Sequence, residues 1–270
     1  MISSFGHALQ SFAILTIVFL PLERLFAARR QQFARRGFWA DVCYFLGQYL
    51  LWNTPVVVAI VWLHGQLEHL PLASLQTSFA AWPWWLQFVC AFALSDAAIY
   101  WAHRLQHNNA FLWRFHRVHH TAERMDWLAA HREHPLDNLY TRTVENLPLL
   151  LLGFPMHTIA GFAVFRGMWA IFIHSNTTLS PGPLRYLIGA PRLHHWHHAL
   201  ATRGQVNFAN LSPLMDLLFG TYHDSKRMPD AVGVDEPFER NYARALLVPM
   251  VPEQWLSRRA SADADGAAER

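Results

Sequence analysis

The chain has 270 residues, of which 53% are apolar and only 15% charged, with 17 histidines against 19 acids and a formal net charge of +3. Hydrophobicity this high with charge this low excludes a disordered chain, and two cysteines exclude a secreted disulfide scaffold. So small a net charge argues against a nucleic-acid binder, and the length suits one domain or one membrane bundle with a soluble cap.

The first apolar stretch runs from Phe12 to Phe26 and extends back toward Phe5. No Lys or Arg precedes it, so it reads poorly as a cleaved signal peptide. Arg29, Arg30, Arg35 and Arg36 follow it. From Gly37 to His103 there is then no Lys or Arg, and the only acids are Asp41, Glu68 and Asp96. Two further apolar stretches fill this window, each near or above the roughly 20 residues that cross a bilayer core. We read three spans, at 5–26, 39–63 and 83–102. The cation-free loop from His64 to Trp82 and the arginines at 104, 114 and 117 place the N-terminus outside and the segment after His103 in the cytoplasm. Trp82, Trp84 and Trp85 then sit at the outer interface. A soluble all-helical protein is the rival reading, and long cation-free windows are hard to bury in one.

Three histidine clusters follow the third span: His103-x-x-x-His107, His116-x-x-His119-His120, and His194-His195-Trp-His197-His198. Residues i, i+3 and i+4 share a helix face, so each box can aim two or three imidazoles at one point. Eight box histidines exceed one tetrahedral zinc and suit two metals of the kind imidazole binds. Asp96, Tyr100, His103 and His107 step by 4, 3 and 4 along the third span. Asp96 is an ionisable group inside a span and so a functional candidate, one that orients a ligand through a hydrogen bond. The isolated His7, His64, His69, His157 and His223 read as surface or packing residues.

A last apolar segment, 147–173, is broken by Gly153-Phe154-Pro155 and by Arg166. Hydropathy leaves it as one long span or as a hairpin turning near Gly153 to His157. Boxes that build one centre must lie on one side of the membrane, and a single crossing would separate the third box from the others. The hairpin is therefore favoured, with Arg166 facing protein or the interface. The fold expected is all-α: an integral-membrane bundle of about three spans plus a hairpin or fourth span, with a cytosolic helical cap holding the His-rich di-metal site. Residues 1–256 form one domain, and the Ala-, Asp-, Arg- and Ser-rich 257–270 reads as a disordered tail.

From Asp96 to Tyr222 the chain resembles the fatty acid hydroxylase, or sterol desaturase, superfamily of membrane di-iron enzymes. The resemblance rests on Asp96, Tyr100 to His107, Trp113 to His120, His131-Arg-Glu-His134-Pro-Leu-Asp137, and Ile173-His174-Ser-Asn176. It continues through His194 to His198, Asn207, and Asp216-Leu-Leu-Phe-Gly-Thr221. It implies two iron ions, O₂ as co-substrate, and oxidation of an unactivated C–H bond of a membrane lipid. The ligands it implies are His103, His107, His116, His119, His120, His194, His197 and His198, joined by His134 and His174. His131 enters only through the sterol C5-desaturase branch, and Asn207 and Asp216 join Asp96 as supports of the ligands. Asn207-Phe-Ala stands where Asn-Tyr-Gly is commoner, and Leu217-Leu218 where a basic residue is frequent, which leaves the subfamily open. Fatty acyl, sterol, hopanoid, ether-lipid and carotenoid substrates stay open, as does hydroxylation against desaturation.

Cleaving an aliphatic C–H bond exceeds side-chain acid–base chemistry, so a metal must carry it. Two cysteines are too few for an iron–sulfur cluster, and the chain has no room for a flavin or cytochrome domain. A separate ferredoxin- or cytochrome-type donor with its reductase is expected, on a bacterial inner membrane with the site on the cytosolic face. The alternative is a membrane metal-binding or metal-transport protein, which would set His and Asp near the midplane. A bis-His haem protein leaves most of the boxes unexplained, and a zinc hydrolase needs a Glu general base beside its ligands.

Overall fold

The computed structural model describes residues 4–67, 78–79 and 81–251. The expected tail at 257–270 and the end of the domain at 252–256 lie outside the described residues. Helix α1 is Ser4–Leu25; α2 (Phe38–Gly47) and α3 (Asn53–Leu67) are joined by a π-helical turn, Gln48–Trp52. Pro55 lies in the first turn of α3 and has no N–H for the Leu51 carbonyl, which accounts for the wide turn at that point. Next come α4 (Trp84–Asn108), α5 (Ala110–His120), α6 (Pro135–Leu151) and α7 (Met156–His174). The short helices α8 (Pro191–His197), α9 (Leu214–Leu218) and α10 (Tyr242–Leu247) complete the cap. Among the described residues there is no β-strand, only two isolated bridges.

Among the described residues four helical stretches are long and apolar enough to cross a membrane: Ser4–Leu25, Phe38–Leu67, Trp84–Asn108 and Met156–His174. Their outer faces carry bare aliphatic and aromatic side chains, among them Ile17, Val58, Trp62, Trp84 and Val164. The result is a membrane helical bundle. Its inner faces meet in two apolar cores. One joins Leu15 and Phe19 of α1 to Phe45 of α2, Trp127 and Ile171. The other joins Ala91 of α4 to Leu149 and Leu150 of α6 and to Ile159 and Phe162 of α7.

The segment at 147–173 is the second half of a helical hairpin, turning at residues 152–155 with Gly153 at φ +69°. Its first arm begins at Pro135, twelve residues before the apolar stretch. Hydropathy does not reveal that arm because its face toward α4 is polar: Gln106 Nε2 donates to Asp137 at 2.6 Å, and Ser95 Oγ donates to the Glu145 carbonyl at 2.9 Å. Arg166 of α7 is buried and paired with Glu145, facing protein as the sequence requires. Both arms return to the end of the bundle that holds the histidine boxes.

A buried ionic clip holds that end together. Arg35 gives two hydrogen bonds to Asp126, at 2.7 and 2.5 Å, and one to Asp41 at 2.5 Å; Arg132 reaches the other Asp41 oxygen at 2.6 Å. The loop after α1, the first turn of α2 and the α5–α6 loop are thereby tied. Glu23 adds a second tie by accepting from the backbone N–H groups of Trp127 and Asn176. Arg35→Ala would leave Asp126 with no arginine and Asp41 with only Arg132, and should cost about 3–5 kcal/mol. A thermal-unfolding midpoint in detergent unchanged from the parent would show the clip to be dispensable.

Candidate metal centre

The two HxxHH boxes are each divided between two clusters. At about 100° per residue, positions i and i+4 nearly eclipse while i+3 points aside. In α5, His116 and His120 therefore join one cluster and His119 the other. At the third box His194 and His198 join the second cluster and His197 the first. With His103 and His107 from α4, the first cluster holds His103, His107, His116, His120 and His197. With His174 from the end of α7, the second holds His119, His174, His194 and His198. Within each cluster one nitrogen per ring lies within 4.8 Å of all the others. Every one is buried except half-buried His107.

Local sequence explains the placement. Asn109 ends α4 in an extended conformation and caps α5 by accepting from the N–H groups of Phe111 and Leu112. The chain turns there, bringing His116 Nε2 to 3.1 Å from His103 Nε2. Pro191 at the first turn of α8 starts that helix where no N–H is needed.

The protonation pattern follows from the Nδ1 partners. His103 Nδ1 donates to the Phe208 carbonyl (2.7 Å), His197 Nδ1 to that of Val206 (2.7 Å) and His119 Nδ1 to that of Arg132 (3.1 Å). His174 Nδ1 donates to the Ala170 carbonyl (2.7 Å) and His116 Nδ1 to Asp137 (3.0 Å). Nδ1 donates in each of these bonds, so each neutral ring has its lone pair on Nε2. Those lone pairs face one another: His103 against His116 at 3.1 Å and His119 against His174 at 3.0 Å. A shared proton does not relieve the His119–His174 contact, because burial pushes the pKa of His119 down to about 4 and that of His174 well below its ordinary value. Convergent lone pairs on buried neutral imidazoles fit a pair of metal cations.

The supporting residues act through one loop. Asp96 accepts from the N–H groups of Leu211 and Ser212, and Asp216 from those of Phe208 and Ala209 and from the Thr221 hydroxyl. Asn207, at φ +53°, donates to the Leu193 and His223 carbonyls and accepts from the His223 N–H. Together they fix 206–212, whose carbonyls orient His197 and His103. Asp96 therefore supports the clustered histidines through backbone N–H groups of this loop, where the sequence leads one to expect a direct bond to a histidine.

His134 stands apart from both clusters. It caps α6, its Nδ1 accepting from the Leu136 N–H, and its Nε2 donates to the Leu246 carbonyl, so both nitrogens are occupied. His131 also stands apart, with Nδ1 donating to Gln48 Oε1 at 2.8 Å. His195 donates to the carbonyls of His174 and Ser175 and holds the cap to α7. Asp137 is a support that the sequence reading does not single out, although its place three residues after His134 in the quoted run marks it. Gly204, at φ +68°, is another: a Cβ there would collide with the His107 ring.

Two sizeable cavities among the described residues reach the clusters. One of about 530 Å³ touches His103, His116, His119, His174 and His194 and extends to Val57 and Val164 on the outer wall. The other, about 390 Å³, touches His107 and His120 from the cap side, past Trp113 and Arg203.

Asp137→Asn removes the charged acceptor that orients His116 and should weaken metal binding about 10–100-fold. Equilibrium metal titration checks this, and unchanged affinity refutes it. The depressed pKa values also set a pH dependence for the metal-free chain. Unfolded histidines take up protons below about 6.5, while His119 and His197 resist to about 4 and 3. The unfolded state binds more protons in that window, so stability should be full above pH 6.5 and fall as the pH drops toward 4. A flat profile in chelator would contradict this.

The fatty acid hydroxylase family profile matches residues 88–221, which contain both clusters. The ornithine lipid hydroxylase OlsE of Rhizobium tropici is 30% identical over 62% of this chain and 51% of its own length. An alkylglycerol monooxygenase of Danio rerio is 30% identical over 53% of this chain and 31% of its own. The Delta(7)-sterol 5(6)-desaturase ERG3A of Gibberella zeae is 30% identical over 55% and 40%. The chain therefore spans about half or less of the length of these relatives. No solved structure matches. The matched residues 88–221 hold both histidine clusters and helices that support them, and by this match the chain belongs to the fatty acid hydroxylase/sterol desaturase superfamily.

Proposed function

We propose that this protein is an O₂-dependent di-iron oxidoreductase that hydroxylates or desaturates a C–H bond of a membrane lipid. The observation that carries the reading is two clusters of convergent imidazoles, five of them anchored through Nδ1, that open on a cavity reaching the outer wall of a membrane bundle. The names of the relatives, all lipid-oxidising enzymes, agree with it.

His103, His107, His116, His120 and His197 would hold one iron, and His119, His174, His194 and His198 the other. Bound iron supplies the oxidising chemistry with O₂ that side chains lack. The chain's own residues do the rest. Nδ1 hydrogen bonds keep the Nε2 lone pairs of His103, His116, His119, His174 and His197 inward. Leu15, Ile99, Ala170 and Ile171 line the cavity with apolar surface, which keeps water from the reacting carbon and holds the lipid at the centre. No residue outside the two clusters is needed as an acid or base.

The arginine-rich segments lie at the same end of the bundle as the clusters, which supports a cytosolic site on a bacterial inner membrane. A separate ferredoxin- or cytochrome-type donor with its reductase is the expected electron source, and the opening past Trp113 is its nearest approach. We take residues 1–256 as one functional domain. Metal transport is the weaker reading, since the clusters gather at one end of the spans rather than along them.

Protein isolated without chelator and loaded with iron should hold about two irons per chain and show no haem band. Because the boxes are divided, His119→Ala and His197→Ala should each lose chiefly one iron and all O₂-dependent activity while still inserting in the membrane. One zinc per chain that iron loading does not displace would refute the assignment. Lipid profiles of cells with and without the gene would identify the product.

A further inference from the structure

The larger cavity is not a plain hydrocarbon slot. Beyond the cluster histidines its wall carries Gln48, His131, Glu133, Asn138, Arg142, Arg166 and Asn210. The charged members are balanced. Glu145 pairs with both Arg142 and Arg166, and Glu133 accepts from Asn138. Three polar atoms on this wall are left over. His131 is buried and, because its Nδ1 proton goes to Gln48, its Nε2 is an acceptor with no partner among the described residues. Buried Arg166 has an Nε–H donor in the same condition, and Asn210 has an Oδ1 acceptor. A buried polar group without a partner is costly, and three on one cavity wall point to a ligand that supplies a donor and an acceptor together.

We propose that this wall is a recognition subsite for a neutral amide or hydroxyl group carried by the lipid substrate. The group accepts from Arg166 Nε–H and donates to His131 Nε2 or Asn210 Oδ1. A carboxylate or phosphate does not fit, since it would meet the acceptors His131 and Asn210 and the carboxylates of Glu133 and Glu145. The subsite also sets a distance. Arg166 precedes His174 by eight residues on α7, about 12 Å along the axis, so the polar group is held well away from the carbon that is oxidised. The inference takes from the proposed function only that this cavity receives the lipid.

Equilibrium dialysis of the purified full chain in mixed micelles tests this with four probes: N-tetradecylacetamide, tetradecyl acetate, hexadecane and myristate. The amide and the ester match in length and differ in the donor. The amide should bind about tenfold tighter than the ester, the worth of a buried hydrogen bond otherwise left unmade. His131→Phe and Asn210→Leu together should reduce that ratio to about twofold or less and leave hexadecane binding unchanged. Equal binding of amide and ester overturns the proposal, as do tightest binding of myristate and a preference that survives both substitutions. If the variants do not fold, the ratio in the unaltered chain decides. Iron content is measured on the same samples. Amide preference without iron would sink the oxygenase reading and leave the subsite standing, and two irons without preference would do the reverse.

Discussion

The structure depends on a repulsion that only a cation relieves. At the end of the bundle buried His103 faces His116 at 3.1 Å and buried His119 faces His174 at 3.0 Å, each ring fixed by Nδ1–H donation to a carbonyl or to Asp137 so that the Nε2 lone pairs converge. Without positive charge between them these contacts oppose folding. With it they become a reason for the cap to close. A metal bound there, as proposed, would contribute folding free energy to this end of the molecule, and the other interactions nearby hold the rings in place.

Those interactions come from far apart in the chain. The Arg35–Asp41–Arg132–Asp126 clip joins positions ninety-one residues apart on two of its sides. The 206–212 loop is fixed at one end by Asn207, in its middle by Asp216 and at the other end by Asp96 from the centre of α4. An acid deep in a span is costly, but Asp96 is satisfied by two backbone N–H groups and transmits its position to His103 and His197 through carbonyls. Function and stability share these bonds, so losing one should loosen a cluster before it unfolds the bundle.

Much of this is legible in the residues and some is not. Cation-free windows mark three spans, and box spacing marks eight histidines that all reach the clusters. His174 follows from the resemblance and is also there. The division of each HxxHH between two clusters is open to helical geometry but needs the neighbouring helices to show that i+3 has its own destination. His134 fits the same local pattern as a ligand, yet the helix start at Pro135 claims its Nδ1 and Leu246, more than a hundred residues on, claims its Nε2. The arm at Pro135–Leu151 escapes a one-dimensional reading because polar residues that face α4 look there like residues that face water.

That same polar arm explains why the cavity has two characters. Its apolar side is built from α1, α3 and α7, and its polar side from Asn138, Thr141 and Arg142 at successive turns of α6. A bundle that only had to enclose an alkyl chain would gain from apolar residues here, because a buried ion pair such as Arg166–Glu145 seldom adds stability over well-packed hydrophobic side chains of the same volume. Keeping an ion pair and unpartnered polar atoms at membrane depth carries a free-energy cost that packing does not offset. The compensation must come from something the cavity binds, and the polar wall faces the same space as the Nε2 atoms of the two clusters. On the function proposed, selection of the lipid and oxidation of the lipid are then separate tasks of one chamber, performed at different heights of the same helices.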